Sequence, residues 1–263
     1  MTMVRDAIGT AHSPAVGEPR IVSLVPSLTE LLCDMGLASN LVGRSGFCIH
    51  PREIVAGIPK MGGTKDARID RIRAAEPTHL IVNIDENRRE QVEEIARFVP
   101  HVVVTHPNTP EDNIELFHLF GTIFDREAEA TTLSQRWRTA REALRVATGT
   151  LPRQRVVYLI WKDPWMTVAR ETYVSSMLAA AGWDTMPEAT DVRYPVIEPR
   201  TQGLGSPDLL LLASEPYRFS EAHLADAAER FGVPARLIDG EMASWYGSRS
   251  ILGLEYLARL RAG

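Results

Sequence analysis

The sequence has 263 residues, of which 44% are hydrophobic and 24% are charged, and its formal net charge is -5 at pH 7. This composition is typical of a globular protein with material for one large or two modest domains, and it excludes a disordered or fibrous chain. The negative net charge, with no strongly basic block, argues against nucleic acid as the main partner.

Residues 1–19 have no helical or strand periodicity and are expected to be a disordered leader. Charged residues interrupt every apolar run in this segment, so none reaches the length that a secretory signal needs. We therefore expect a cytoplasmic chain if Met1 is the true start, and a periplasmic chain if the start is misassigned. No segment approaches the roughly 18 consecutive apolar residues of a membrane helix, so no membrane insertion is expected.

The first half alternates short apolar runs with helical patterns. The first run ends at Pro26, and Ser27 with Glu30 three residues later is typical of a capping box that begins a helix. The later runs are continuously apolar, as in buried parallel strands. The predicted strands cover residues 20–25, 79–83 and 101–106.

A long helix is predicted near the middle of the chain, over residues 125–148. Its apolar positions recur at spacings of three and four, while charged residues occupy its other faces. Asp125 and Glu127 fall in the first turn, where the helix dipole favours negative charge, and Gly149 and Pro152 supply a stop signal. We predict that this helix joins two lobes; a core helix of a single α/β domain is the alternative.

The second half repeats the pattern of the first, with predicted strands over residues 155–161, 208–214 and 235–240. The predicted fold class is α/β, with two lobes that each contain a parallel sheet flanked by helices, one long joining helix, and a ligand cleft between the lobes. The predicted domains are a leader (1–19), an N-terminal α/β lobe (20–124), a linking helix (125–150) and a C-terminal α/β lobe (151–263).

Loops that follow the predicted strands hold many of the aromatic residues, although these are only 7% of the chain. Open α/β sheets bind ligands at the carboxyl ends of their strands, and large rings in loops indicate a binding surface. Packing between the lobes is the alternative for any single ring. The rings that carry this prediction are Trp161, Trp165, Tyr194, Tyr217, Trp245 and Tyr246.

Enzyme and metal motifs are weak. The segment KMGGTKD lacks the spacing of a phosphate-binding loop, and no serine elbow is present. Cys48 and His50 could offer thiolate and imidazole ligands to a metal ion, although two ligands do not complete a site; packing or hydrogen bonding is the alternative. Cys33 falls in an apolar run and is expected to be a buried thiol, so no disulfide is expected.

Residues 20–260 resemble the class III periplasmic binding proteins, the helical-backbone metal receptors. The resemblance rests on RIVSLVPSLTELLCDMG, on GTKDARIDRIRAAEPTHLIVN and on the long central helix. Within the family, the chain resembles most the vitamin B12-binding proteins of ABC importers. The resemblance implies a monomeric solute-binding protein that is not an enzyme, requires no cofactor and holds a corrinoid, siderophore or haem-type chelate. It also implies a possible ABC permease as partner.

The resemblance can be carried to single residues. In GFCIHP, Phe47 and His50 stand where the B12-binding proteins have two tyrosines, and Tyr194 stands where they have tryptophan. A tryptophan of those proteins has no counterpart here, because the aligned region is polar. Permease docking through one acid on each lobe would use Asp70 and Glu198.

Charged residues beside the rings could pair with the polar arms of the ligand; a solvated rim or an ion pair is the alternative for each arginine. These residues are Glu86, Arg88, Arg193 and Arg249. A competing function is a cytoplasmic enzyme or metallochaperone that acts on a metal ion or tetrapyrrole. Its metal ligands or acid and base would be Cys48, His50, Asp85 and Glu86.

Overall fold

A computed structural model describes residues 3–262, without the side chain of Gln202. The chain forms two compact units. The first unit contains the residues up to Pro107 together with Glu111–Arg136 and Tyr246–Arg249. The second contains Asn108–Pro110, Trp137–Trp245 and the residues from Ser250 onward. The sequence pattern did not indicate that a segment so close to the C-terminus belongs to the first unit.

The first unit contains a four-stranded parallel sheet. Its strands, in the spatial order β4-β3-β5-β6, are β3 (Ile21–Ser23), β4 (Leu41–Arg44), β5 (His79–Asn83) and β6 (His101–Thr105). Strand β5 is buried at every position, as expected of a parallel strand covered on both faces. Its first residue pairs with the first residue of β6, so the carboxyl ends of the two strands lie side by side.

Five helices accompany this sheet: α1 (Pro26–Asp34), α2 (Arg52–Val55), α3 (Ile69–Ala74), α4 (Arg89–Ile95) and α5 (Asp112–Phe124). Ile72 and Ile95 of two of them pack in one core with Val22 and Leu80 of the sheet. Helix α1 begins at its proline and has no side-chain cap. The predicted capping box is therefore wrong. Proline suits the first turn of a helix, because the N–H that it lacks would have no intrahelical partner there.

Residues 3–19 are ordered, so the predicted disordered leader is wrong for this segment; residues 1 and 2 lie outside the described part. Strands β1 (Val4–Arg5) and β2 (Ala11–His12) pair antiparallel. Asp6 accepts hydrogen bonds from two backbone N–H groups of the connecting turn and, at 3.1 Å, from the backbone N–H of Val104 in β6. The buried carboxylate thus satisfies the turn and also ties the hairpin to the sheet.

The second unit contains a second four-stranded parallel sheet. Its strands, in the spatial order β10-β9-β7-β8, are β7 (Gln154–Leu159), β8 (Trp183–Thr185), β9 (Leu209–Ala213) and β10 (Ala235–Ile238). Strands β4 and β8 were not predicted, because each has only three or four residues and lacks a continuous apolar run. Two parallel sheets flanked by helices confirm the predicted fold class.

The remaining helices are α6 (Glu127–Thr148), α7 (Tyr173–Ala180), α8 (Leu224–Phe231), α9 (Gly240–Ser244) and α10 (Arg249–Ala262). Helix α6 begins two residues later than predicted, because Asp125 ends α5 in a left-handed conformation with φ of 57°. The boundary between the units falls within α6, after Arg136. Along residues 3–262, every helix is too short or too polar to cross a membrane.

Candidate ligand-binding site

In the first unit, apolar side chains are exposed in the loops that follow strands β4 and β5. Phe47 follows β4, and 63% of its surface is exposed. Its ring lies beside Gly63, where an added Cβ would be 3.5 Å from the ring. Ile84 follows β5 and is also exposed, although sequence reasoning did not single it out. A large exposed ring at a strand end agrees with the general location of ligands in such sheets.

Polar side chains hold the backbone of this edge in place. The Asn83 side chain accepts a hydrogen bond from the backbone N–H of Asp85 at 2.8 Å, and Asn87 donates to the carbonyl of Thr64 at 2.9 Å. The Asp85 carboxylate lies 3.5 Å from Nε2 of His106, which follows β6. Lys65 donates to the backbone carbonyl of Asp85. Hydrogen bonds therefore join the loop after β5 to Thr64 and Lys65, and the Asp85 carboxylate also lies near the imidazole of His106.

Tyr246 is buried and its hydroxyl contacts a carboxylate, while its predicted role in ligand binding stays a prediction. Its hydroxyl donates to Glu86 Oε1 at 2.5 Å. Burial and the neighbouring Glu86 carboxylate raise the pKa of the Tyr246 phenol well above its usual value, so the phenol keeps its proton. The hydrogen bond also uses one oxygen of Glu86, which had been predicted to contact the ligand.

Arg249 is likewise buried, at 7% side-chain exposure, and forms an ion pair with Glu30 through two hydrogen bonds of 2.7 Å. Arg193 donates to the carbonyl of Glu171 and to the side chain of Asn108. The Arg249 guanidinium is therefore matched to a carboxylate in a buried site, which agrees with the ion-pair alternative; its pairing with a ligand stays a prediction. Arg88 is exposed at the N-cap of α4.

Cys48 faces the interior, which contradicts the predicted metal ligation by Cys48 and His50. The Cys48 sulfur accepts a hydrogen bond from Thr29 at 3.0 Å and lies 3.2 Å from the Ser45 hydroxyl. Burial raises the pKa of the Cys48 thiol, which disfavours the thiolate that binds metals. No group of three or more His, Cys, Asp or Glu side chains within residues 3–262 is placed to hold a metal ion.

In the second unit, three aromatic residues lie near the carboxyl ends of β7 and β9. Trp161 is 42% exposed and Tyr194 is 38% exposed. Met166 forms isolated bridges with Trp161 and with Val196, so the segment that contains Tyr194 lies on the other side of Met166 from Trp161. The rings of Trp161 and the half-buried Tyr217 contact each other edge to face, with centroids 5.6 Å apart. Trp161 and Tyr217 therefore form one aromatic pair, and Tyr194 is exposed separately.

Trp165 and Trp245 are buried, and their contact with a ligand stays a prediction. Trp165 stacks on Phe219 with ring centroids 6.1 Å apart and lies in the core of the second unit. Trp245 donates through Nε1 to Glu215 at 2.7 Å, in a site where burial raises the pKa of the Glu215 carboxyl. A large ring gains more from full burial than from exposure, whatever loop carries it.

The two acids predicted to dock a permease are both exposed. Asp70 lies in the first turn of α3, and its carboxylate is 3.5 Å from the exposed guanidinium of Arg68. Glu198 begins a short turn in which its backbone carbonyl accepts a hydrogen bond from Thr201 at 3.1 Å. Their docking roles stay predictions.

Residues 21–218 match the model of a family described as periplasmic binding protein. A vitamin B12-binding protein of Vibrio parahaemolyticus is 22% identical over 178 residues, which cover 68% of this chain and 64% of that protein. One from Vibrio vulnificus is 22% identical over 178 residues, which cover 68% of this chain and 65% of that protein. The chain thus spans slightly less than two thirds of the length of these curated relatives.

Solved structures share the fold over nearly the whole chain. The periplasmic vitamin B12-binding protein BtuF of Vibrio cholerae has a TM-score of 0.79 at 16% identity and covers 92% of this chain and 96% of its own. The periplasmic haem-binding protein RhuT of Roseiflexus sp. RS-1 has a TM-score of 0.79 at 21% identity, and the match covers 94% of this chain and 98% of RhuT. All of these proteins are named as binding proteins, which agrees with the prediction that this chain is not an enzyme.

Proposed function

Since this chain belongs to the periplasmic binding protein family, we propose that it binds a metal chelate or tetrapyrrole, with a corrinoid as the first candidate ligand. The observation that carries the proposal is the exposure of the Trp161 ring, which contacts Tyr217, and of Tyr194 in loops of the second unit. Such rings offer rigid contact area to a wide apolar ligand. The names of the B12-binding relatives support the choice of ligand.

In the first unit, we propose the exposed ring of Phe47 as a ligand contact. His50, half-buried in the same loop, and the exposed Arg88 supply polar groups for the amide or carboxylate arms of the ligand. Small-molecule sites combine a mostly apolar surface with a few polar groups that fix orientation. Trp165, Trp245, Tyr246 and Arg249 are buried, so the test below is directed at the exposed side chains instead.

We propose that the loaded protein delivers its ligand to an ABC permease. A solved structure from Listeria monocytogenes with the same fold, at a TM-score of 0.75 and 17% identity, is named as an ABC transporter substrate-binding protein. The exposed acids Asp70 and Glu198 are the proposed docking contacts. Haem is the second candidate ligand, supported by the haem-binding structure from Roseiflexus.

Equilibrium dialysis against four coloured ligands tests the proposal: cobalamin, cobinamide, haemin and a ferric siderophore. Trp161→Ala and Phe47→Ala should each weaken binding by roughly 5-fold to 200-fold, the usual cost of removing an interface anchor of about 1 to 3 kcal/mol. Leu252→Ala is a matched control, because Leu252 is also a large exposed apolar residue but lies in helix α10.

The proposal fails if none of the four ligands binds at micromolar concentration, or if both aromatic variants bind as tightly as the control. The ligand recovered after dialysis is also analysed by absorbance and mass. Recovery of an unchanged chelate supports a binding protein, whereas chemical turnover would support the enzyme that the sequence left open.

A further inference from the structure

An open cavity of about 550 Å³ lies on the first unit, beside edge strand β4 and helix α3. Three of its eight lining residues are cationic, namely Arg20, Lys60 and Arg71, while the other five are apolar and none is acidic. Arg20 directly precedes the amino end of β3, whereas Phe47 and Ile84 follow the carboxyl ends of their strands. The residues of this cavity are therefore distinct from those of the proposed ligand site.

The three cations have no carboxylate partner within the described part of the chain. Arg20 donates to the backbone carbonyls of Ala75 and Glu76 at 2.6 and 3.1 Å, and Arg71 donates to the carbonyl of Lys60 at 3.2 Å. A guanidinium carries five N–H donors, so both arginines keep donors for another acceptor. The carbonyl bonds also hold the two guanidinium groups at the cavity wall.

Several other surface cations are paired with carboxylates, unlike the three cations of this cavity. Arg89 pairs with Glu93 at 2.7 Å, Lys162 with Asp226 at 2.8 Å, and Arg155 with Asp208 at 3.1 Å. Three positive charges that share one cavity without a counter-ion repel one another, and this repulsion weakens only partly with salt. A bound anion would remove that repulsion.

We propose that this cavity binds a small organic anion whose phosphate or carboxylate group is held by Arg20, Lys60 and Arg71. The planar fork of arginine matches both groups bidentately. The apolar body of the anion would lie against Val42 and Met61, which line the same cavity. The volume falls in the range of small-molecule sites and exceeds the needs of a bare inorganic ion. This site goes beyond the proposed chelate-binding function.

Isothermal titration calorimetry on the full chain at low ionic strength tests the site with four probes: phenyl phosphate, benzoate, inorganic phosphate and benzyl alcohol. Phenyl phosphate or benzoate should bind saturably at one site and more tightly than inorganic phosphate. Binding should weaken in about 0.5 M NaCl, where the screening length is only a few ångströms. The proposal is overturned if neither aromatic anion binds saturably, or if neutral benzyl alcohol binds as tightly.

Variants separate a built site from general attraction to positive charge. Arg71→Gln should weaken binding about tenfold, because it removes a charge-assisted hydrogen bond, and Lys60→Gln provides a second test. Arg73→Gln is the matched control: Arg73 lies in the same helix, but its guanidinium sits 3.9 Å from the centre of the Phe98 ring and does not line the cavity. Equal weakening by Arg71→Gln and Arg73→Gln would overturn the proposal. Chelate binding should be unchanged in all three variants.

Discussion

The ion pair between Glu30 and Arg249 should be the most costly polar contact to break in the first unit. The two side chains are 12% and 7% exposed and share two hydrogen bonds of 2.7 Å. Arg249 also begins helix α10, where the helix dipole disfavours a positive charge. The Glu30 carboxylate therefore compensates the positive charge of the guanidinium and the positive end of the α10 dipole. Removing either side chain should leave the other with an uncompensated buried charge.

Replacing only one partner leaves the other charge buried without compensation. Arg249→Met and Glu30→Gln should each lower the free energy of unfolding by roughly 3 to 5 kcal/mol. The double replacement Glu30→Gln with Arg249→Met should cost much less than the sum of the two single losses, because it leaves no unpaired buried charge. The double-mutant cycle therefore gives a large coupling energy.

The measurement needs a probe in the first unit, because two units can unfold separately. All five tryptophans lie between residues 137 and 245, in the second unit, so tryptophan fluorescence does not report the first unit directly. Native-state hydrogen exchange of the α1 amides gives the opening free energy around Glu30. A loss below about 1 kcal/mol in Arg249→Met, or additive losses in the double variant, would refute the reasoning.

Three further predictions concern buried polar groups. Burial, with two neighbouring histidines, lowers the pKa of His79 to about 4, below its value in the unfolded chain. The free energy of unfolding should therefore be highest above about pH 6.5 and fall by up to about 3 kcal/mol as the pH is lowered to 4. In His79→Phe this fall, measured by urea unfolding, should be absent. Asp6→Ala should release the N-terminal hairpin at a cost of roughly 2 to 3 kcal/mol, detected as faster hydrogen exchange at Val104, and unchanged exchange there would contradict it. Cys48 should resist iodoacetamide in the native protein and react after denaturation, as followed by mass spectrometry of the labelled peptide.

The fold class and the positions of the main strands follow from local patterns in the sequence. In continuous apolar runs such as 79–83 and 208–214, side chains on both faces of the strand must be buried, and a parallel sheet covered by helices buries both faces. The same local pattern located the loops at strand ends and singled out Trp161 and Phe47, whose rings are exposed there. These features depend on near neighbours in the chain, so the sequence carries them directly.

Which candidate side chains remain at the surface depends on long-range packing. Trp161 and Trp165 lie four residues apart in one loop, yet only Trp165 meets the rings of Phe219 and Phe231 and is buried. Asp6 finds its partner at Val104, so the leader is ordered, and Arg249 finds Glu30 219 residues away. Burial and charge pairing depend on groups that are distant in sequence and meet only when the chain packs, so local patterns cannot specify them.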